Sequence, residues 1–96
     1  MALETKVQKK INDKLTKKGW FVIRLAVTNV SGMPDLLALK KDHKPFFIEA
    51  KRTKGGVRSP LQKYYIKLLN KIGFIAMFAN SWEVVEEKLK EEGYNG

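Results

Sequence analysis

The chain has 96 residues and no cysteine. That is room for one domain around one core, and it excludes disulfide staples and thiolate metal sites. Nineteen Lys and Arg against ten Asp and Glu give a formal net charge of +9, a field that attracts polyanions, of which nucleic acid is the commonest in a cell. No apolar run reaches the ~18 residues of a membrane span, and no basic-then-apolar leader is present. With no thiols as well, a soluble, cytoplasmic protein with no membrane partner is expected.

The charge is unevenly spread. Residues 1–82 hold 17 of the 19 basic side chains against Glu4, Asp13, Asp35, Asp42 and Glu49. From Glu83 onward the sign reverses, with Glu83, Glu86, Glu87, Glu91 and Glu92.

Leu3, Val7, Ile11 and Leu15 recur every four residues with lysines between them, which predicts an amphipathic helix over residues 2–18 that Gly19 stops. Trp20 to Val27 is β-rich and reads as a strand. Asn29 to Pro34 is loop chemistry, and Asp35 to Leu39 is a short apolar strand. Lys41 to Lys44 makes a turn, and Pro45 to Lys51 is the next strand, so the two form an antiparallel hairpin. After a basic, glycine-containing loop, Ser59-Pro60-Leu61-Gln62 opens a helix, with an N-cap Ser, Pro at the first position and Gln three residues on. Its apolar stripe is Leu61, Tyr65, Leu68, Leu69 and Ile72. Gly73 ends it, Phe74 to Phe78 forms a fourth strand, and a cap at Ser81 starts a last helix to about Glu92. The order α-β-β-β-α-β-α describes an α/β fold with a mixed sheet flanked by helices, and the apolar run Phe74 to Phe78 suits a strand covered on both sides.

Chemistry concentrates at the open end of the hairpin. Strand side chains alternate, so Phe47, Glu49 and Lys51 share one face while Ile48 and Ala50 share the other. Folding the hairpin at Asp42-His43 brings Asp35 beside Glu49 and Lys51. Two adjacent carboxylates repel unless a cation compensates. A hard divalent ion, Mg²⁺ or Mn²⁺, meets that need and keeps several waters. One such water, acidified, attacks phosphorus, and a positioned lysine stabilises the charge that develops. Against this stands the plain reading, in which Glu49 and Lys51 are a solvated same-face pair and Asp35 ends a turn. His43, with no partner histidine, reads as a surface residue. Trp20, Tyr64 and Tyr65 could stack on bases, though core packing is the default for most of them.

Gly32-Met33-Pro34-Asp35, then Phe46-Phe47-Ile48-Glu49-Ala50-Lys51, then Ser59-Pro60-Leu61-Gln62 stand in order along the chain. With these motifs it resembles the PD-(D/E)XK nuclease superfamily, and within it the VRR-NUC family in its minimal, stand-alone form. The resemblance spans Leu3 to Phe78. It implies a restriction-endonuclease-like core, α-β-β-β-α-β, with residues 1–96 as a single nuclease domain. It implies that Asp35 and Glu49 bind metal, joined by the carbonyl of Ala50, and that Lys51 is the catalytic lysine. Gln62 is implied to position phosphate or water, and Glu4 to be the first-helix acid that also meets the metal. Two of these have competing explanations in the residues themselves. Gln62 also suits a capping box, and Glu4, which falls on the apolar side of its helix, also suits the helix dipole.

Arg52, Lys54 and Arg58 in the basic loop, with Lys63 just beyond, form a phosphate clamp. The function expected is a Mg²⁺-dependent, structure-selective DNA endonuclease. The resemblance implies branched DNA, including four-way junctions, cut by a homodimer. Two alternatives stand beside it, a non-catalytic nucleic-acid-binding module on the same fold and a restriction-type enzyme that cuts at a fixed sequence.

Overall fold

The computed structural model describes residues 3–52 and 58–94. Its elements are α1 (Leu3–Lys17), β1 (Phe21–Arg24), β2 (Leu36–Leu39), β3 (Phe46–Ala50), α2 (Pro60–Lys71), β4 (Ile75–Ala79) and α3 (Trp82–Glu91). The order matches the expectation from sequence. The sheet runs β1-β2-β3-β4, antiparallel between the first three strands and parallel between β3 and β4. A parallel pair cannot be joined by a tight turn, and α2 is the crossover that joins this one.

Alternation along the strands sorts side chains to two faces. On one face Leu36, Ala38, Phe46, Ile48, Ile75 and Ala79 pack under α1 and α3, meeting Ile11, Leu15, Trp82, Val85 and Leu89. On the other, Phe47 and Ala76 pack under Leu69 and Ile66 of α2. Helix α1 turns Val7, Ile11 and Leu15 inward and leaves most of its lysines exposed, which is the amphipathic pattern read from sequence. Helix α2 has the predicted start. Ser59 caps it with an extended backbone, Pro60 follows, and both halves of the capping box with Gln62 are made.

Two details differ from the sequence reading. The first strand stops at Arg24 rather than Val27, because Leu25 is its last residue with a partner, donating its N–H to the Asp35 carbonyl at 2.7 Å, and Val27 is 94% exposed. Strand β4 is covered on both sides as expected, by α2 and α3, although it is an edge strand, and β3 is buried along its whole length. His43 is not a plain surface residue. Its ring lies edge-on to Tyr94 at 4.2 Å and near Trp20 at 5.4 Å, closing the far end of the hairpin. Among the described residues no helix is long and apolar enough to cross a membrane.

Candidate active site

The hairpin register pairs Leu36 with Ile48 and Leu37 with Phe47. Continued by one residue, it sets Asp35 opposite Glu49, at the end of the sheet where the β2–β3 ladder opens. The structure brings Asp35, Glu49, Lys51 and Gln62 together there. Asp35 is fixed from below, since the Ala50 N–H donates to its Oδ2 at 3.1 Å. Glu49 is 5% exposed and Lys51 is 8% exposed, and they are the two buried charged residues among those described. Lys51 Nζ lies 3.6 Å from Glu49 Oε2. The same oxygen accepts a hydrogen bond from Gln62 Nε2 at 3.2 Å.

Gln62 therefore does both things its position allows. Its Oε1 accepts the Ser59 N–H at 3.2 Å, and its own N–H donates to Ser59 Oγ at 3.1 Å. With the amide oxygen occupied by the cap, the amide nitrogen is left to face the carboxylate. The cap thus orients a donor into the site and aims the positive end of α2 at it. The turn that delivers Asp35 is locked to the same helix. Gly32 has φ +88°, and a Cβ there would come 2.8 Å from Leu61 Cγ, so the absence of a side chain lets the two segments touch.

The electrostatics are those of two acids held too close. Burial pushes the Asp35 carboxyl up from its ordinary value, against hydrogen bonds from the Ala50 N–H, Glu49 and Gln8 and the charge of Lys51. Glu49 is pushed up to about 7, first by burial and next by the charge of Asp35, with Lys51 opposing. A proton on Glu49 bridges the pair. With both acids ionised, Oε1 of Glu49 is a buried oxygen with no hydrogen-bond donor, a costly arrangement unless a cation satisfies it. Continuing the β2–β3 register by two residues sets Pro34 opposite Ala50. A proline has no N–H with which to occupy that carbonyl. Two carboxylates and a backbone carbonyl are the oxygen donors a hard divalent cation takes. Among the described residues no group of three or more His, Cys, Asp and Glu gathers.

The other expected residues are less central. Glu4 is half-buried on α1, one turn before Gln8, and its carboxylate makes no hydrogen bond or ion pair to a described residue. Gln8, which the sequence did not single out, is the α1 residue that favours the ionised Asp35 carboxyl. Its signal was positional, a polar side chain flanking the inward stripe of Val7 and Ile11. Arg58 is exposed, with its guanidinium 4.6 Å from the ring centre of Phe78, the strand partner of Glu49. That perch places a cation beside the acids. Arg52 and Lys63 are exposed, and Lys54 lies outside the described residues.

A solved structure described as a VRR_NUC domain matches 98% of this chain and all of its own, with 28% identity and a TM-score of 0.81. The chain is similar to the VRR_NUC domain over nearly its whole length, which supports a VRR-NUC assignment. A second structure, a VRR_NUC domain protein, shares the fold at 20% identity and a TM-score of 0.72, over 95% of this chain and 88% of its own. No family model and no curated protein matches the chain. The VRR-NUC fold is a nuclease-type fold, and the four converging side chains occupy the end of its sheet.

Proposed function

We propose that this VRR-NUC domain is a divalent-metal-dependent DNA endonuclease whose active site is Asp35, Glu49, Lys51 and Gln62. The observation that carries the proposal is the pairing of a half-buried Asp35 with a buried Glu49 whose Oε1 has no donor, flanked by a buried lysine in a chain of net charge +9. Asp35, Glu49 and the Ala50 carbonyl hold Mg²⁺ or Mn²⁺, and Glu4, on the neighbouring turn of α1, is the remaining acid of the set. When bound, the cation neutralises the carboxylates and supplies an acidified water and a Lewis acid for the phosphate.

The chain's own groups do the rest. Asp35 is held by the Ala50 N–H so that its carboxylate cannot swing away. Lys51, fixed on β3 and shielded from water, stabilises charge that develops on the phosphate oxygens. Gln62 holds Glu49 in place, and the α2 N-terminus favours an anion nearby. Arg58 and Lys63, with Arg52 and Lys54, bind flanking phosphates, which positions the backbone without reading sequence.

The same reading makes the substrate branched DNA, with a four-way junction as the first form to test, and the active species a homodimer. A chain of this size offers one active site, and paired nicks need two. Exposed apolar side chains are available for pairing. Phe21 and Leu39 are cross-strand partners at the sheet end away from the acids, and Phe21, Ile72 and Phe74 are 66%, 58% and 37% exposed. Apolar side chains of that kind suit a second copy of the same chain around a two-fold axis.

The test is cleavage mapping on linear, nicked, flap and four-way-junction DNA with Mg²⁺, Mn²⁺ or chelator. Metal-dependent nicks near the branch are expected, and Asp35→Asn and Lys51→Ala should each lower the rate by roughly 10²-fold or more. Nicking that survives both substitutions refutes the assignment.

A further inference from the structure

A second polar surface adjoins the acids on the side opposite Arg58. Between α1 and β1 lies a cleft of about 290 Å³ lined by Thr5, Gln8, Lys9, Asn12, Asp13 and Arg24. Two connections join it to the site. Gln8, in the cleft wall, lies close enough to Asp35 to favour its ionised carboxyl. Arg24 precedes Leu25, whose N–H donates to the Asp35 carbonyl at 2.7 Å.

The lining has a chemical signature. Every lining side chain is polar or charged. A hydroxyl, two amides, an ammonium and a guanidinium are the side-chain groups that contact phosphate and sugar oxygens rather than base edges. The one carboxylate, Asp13, is held by Lys9 at 2.9 Å. Both side chains of that pair are more than half exposed, so it is weak and readily exchanged for a phosphate. Helix α3, which carries the acidic tail, packs instead on α1 and β4, and β4 is the far edge of the sheet from β1.

We propose that the α1–β1 cleft is a second phosphate-binding subsite, which grips the sugar–phosphate backbone of the DNA segment leaving the active site on the side away from Arg58. The proposal rests on the nuclease reading only for the direction in which the DNA runs. On this account the acids lie between two backbone grips, one on each side of the scissile bond. One grip would leave a duplex free to pivot about the site. Two fix its axis.

The experiment measures binding in chelator, where no cutting occurs, over a salt series with four-way-junction and linear duplex DNA. Replacing Lys9 and Arg24 together by Gln should weaken binding roughly a hundredfold, as loss of two charge-assisted contacts does. The log–log salt slope should fall by about 1.8, at ~0.9 per phosphate. The charge-keeping pair Lys9→Arg and Arg24→Lys should restore the slope, which separates phosphate contact from a fold defect. Removing the duplex on one side of the scissile bond should weaken the wild type and leave the double Gln variant indifferent. An unchanged slope and equal sensitivity to truncation on both sides would overturn the proposal. Cleavage by the wild type is scored separately. Its absence with the slope change intact sinks the nuclease reading and supports the cleft, whereas normal cleavage with an unchanged slope sinks the cleft alone.

Discussion

Glu49 meets two opposed demands. It must be ionised to hold a cation, yet burial and Asp35 push its carboxyl up to about 7. Between its ordinary value of 4.5 and about 7, the folded protein binds a proton that the unfolded chain has already released. Stability without metal is therefore fully present below the lower value and is lost as pH rises through the upper one. Thermal melts in chelator should show a loss on the order of 2 kcal/mol across that window, and Glu49→Gln should flatten the curve. A divalent cation should reverse the loss at pH 8, because it binds the folded state only. A metal-free stability that rises with pH across the same window would contradict this picture. Asp35, Glu49 and Lys51 were legible in the sequence because alternation on a strand and closure of a hairpin leave few alternatives. The two explanations of Gln62 could not be separated by sequence, because both are local requirements of the same position and the structure meets both. Gln8 was not legible, since an amide beside an apolar stripe looks like any surface residue until the strand it touches is in place.

Helix α2 is the element on which the arrangement turns. Its first turn carries Gln62, and Leu61 in the same turn packs directly on Gly32 of the segment that delivers Asp35. Gly32→Ala meets both the positive φ and the contact with Leu61, a cost of about 1–3 kcal/mol. A shift in thermal midpoint of roughly 4–8 °C per kcal/mol is expected for a domain of this size. Adding Leu61→Ala should recover the steric part and leave the backbone part. Full stability in the single variant would show that the two segments are not locked. The start of α2 was legible to the residue, because caps are written in local chemistry. Its stripe was less so, since Leu61 and Ile72 are 42% and 58% exposed. A helix lying over one edge of a sheet buries a narrower seam than its apolar pattern offers. The early end of β1 is also a tertiary outcome, for Ala26 and Val27 have β-forming neighbours but no strand to pair with.

For the whole molecule, three sets of side chains matter. The acids sit at one end of the sheet, Phe21, Ile72 and Phe74 are exposed apolar residues away from them, and α3 carries the glutamates of the C-terminal stretch. Phe21→Asp should convert the dimer to a monomer in sedimentation equilibrium and abolish paired nicking of a four-way junction, while single nicks persist. A wild-type monomer at assay concentrations would remove the dimer from the account. Sequence gave the sign of the charge but not its placement. The acidic tail becomes meaningful only once α3 is seen packed on β4, the edge strand beside Glu49. The most direct measurement is of the cation itself. A crystal soaked in Mn²⁺ near pH 7.5 and measured at the manganese edge should show anomalous density between the carboxylates of Asp35 and Glu49 and the Ala50 carbonyl. That density should be absent from the Asp35→Asn variant. A site with no density, or manganese bound elsewhere on the chain, would contradict the account at its centre.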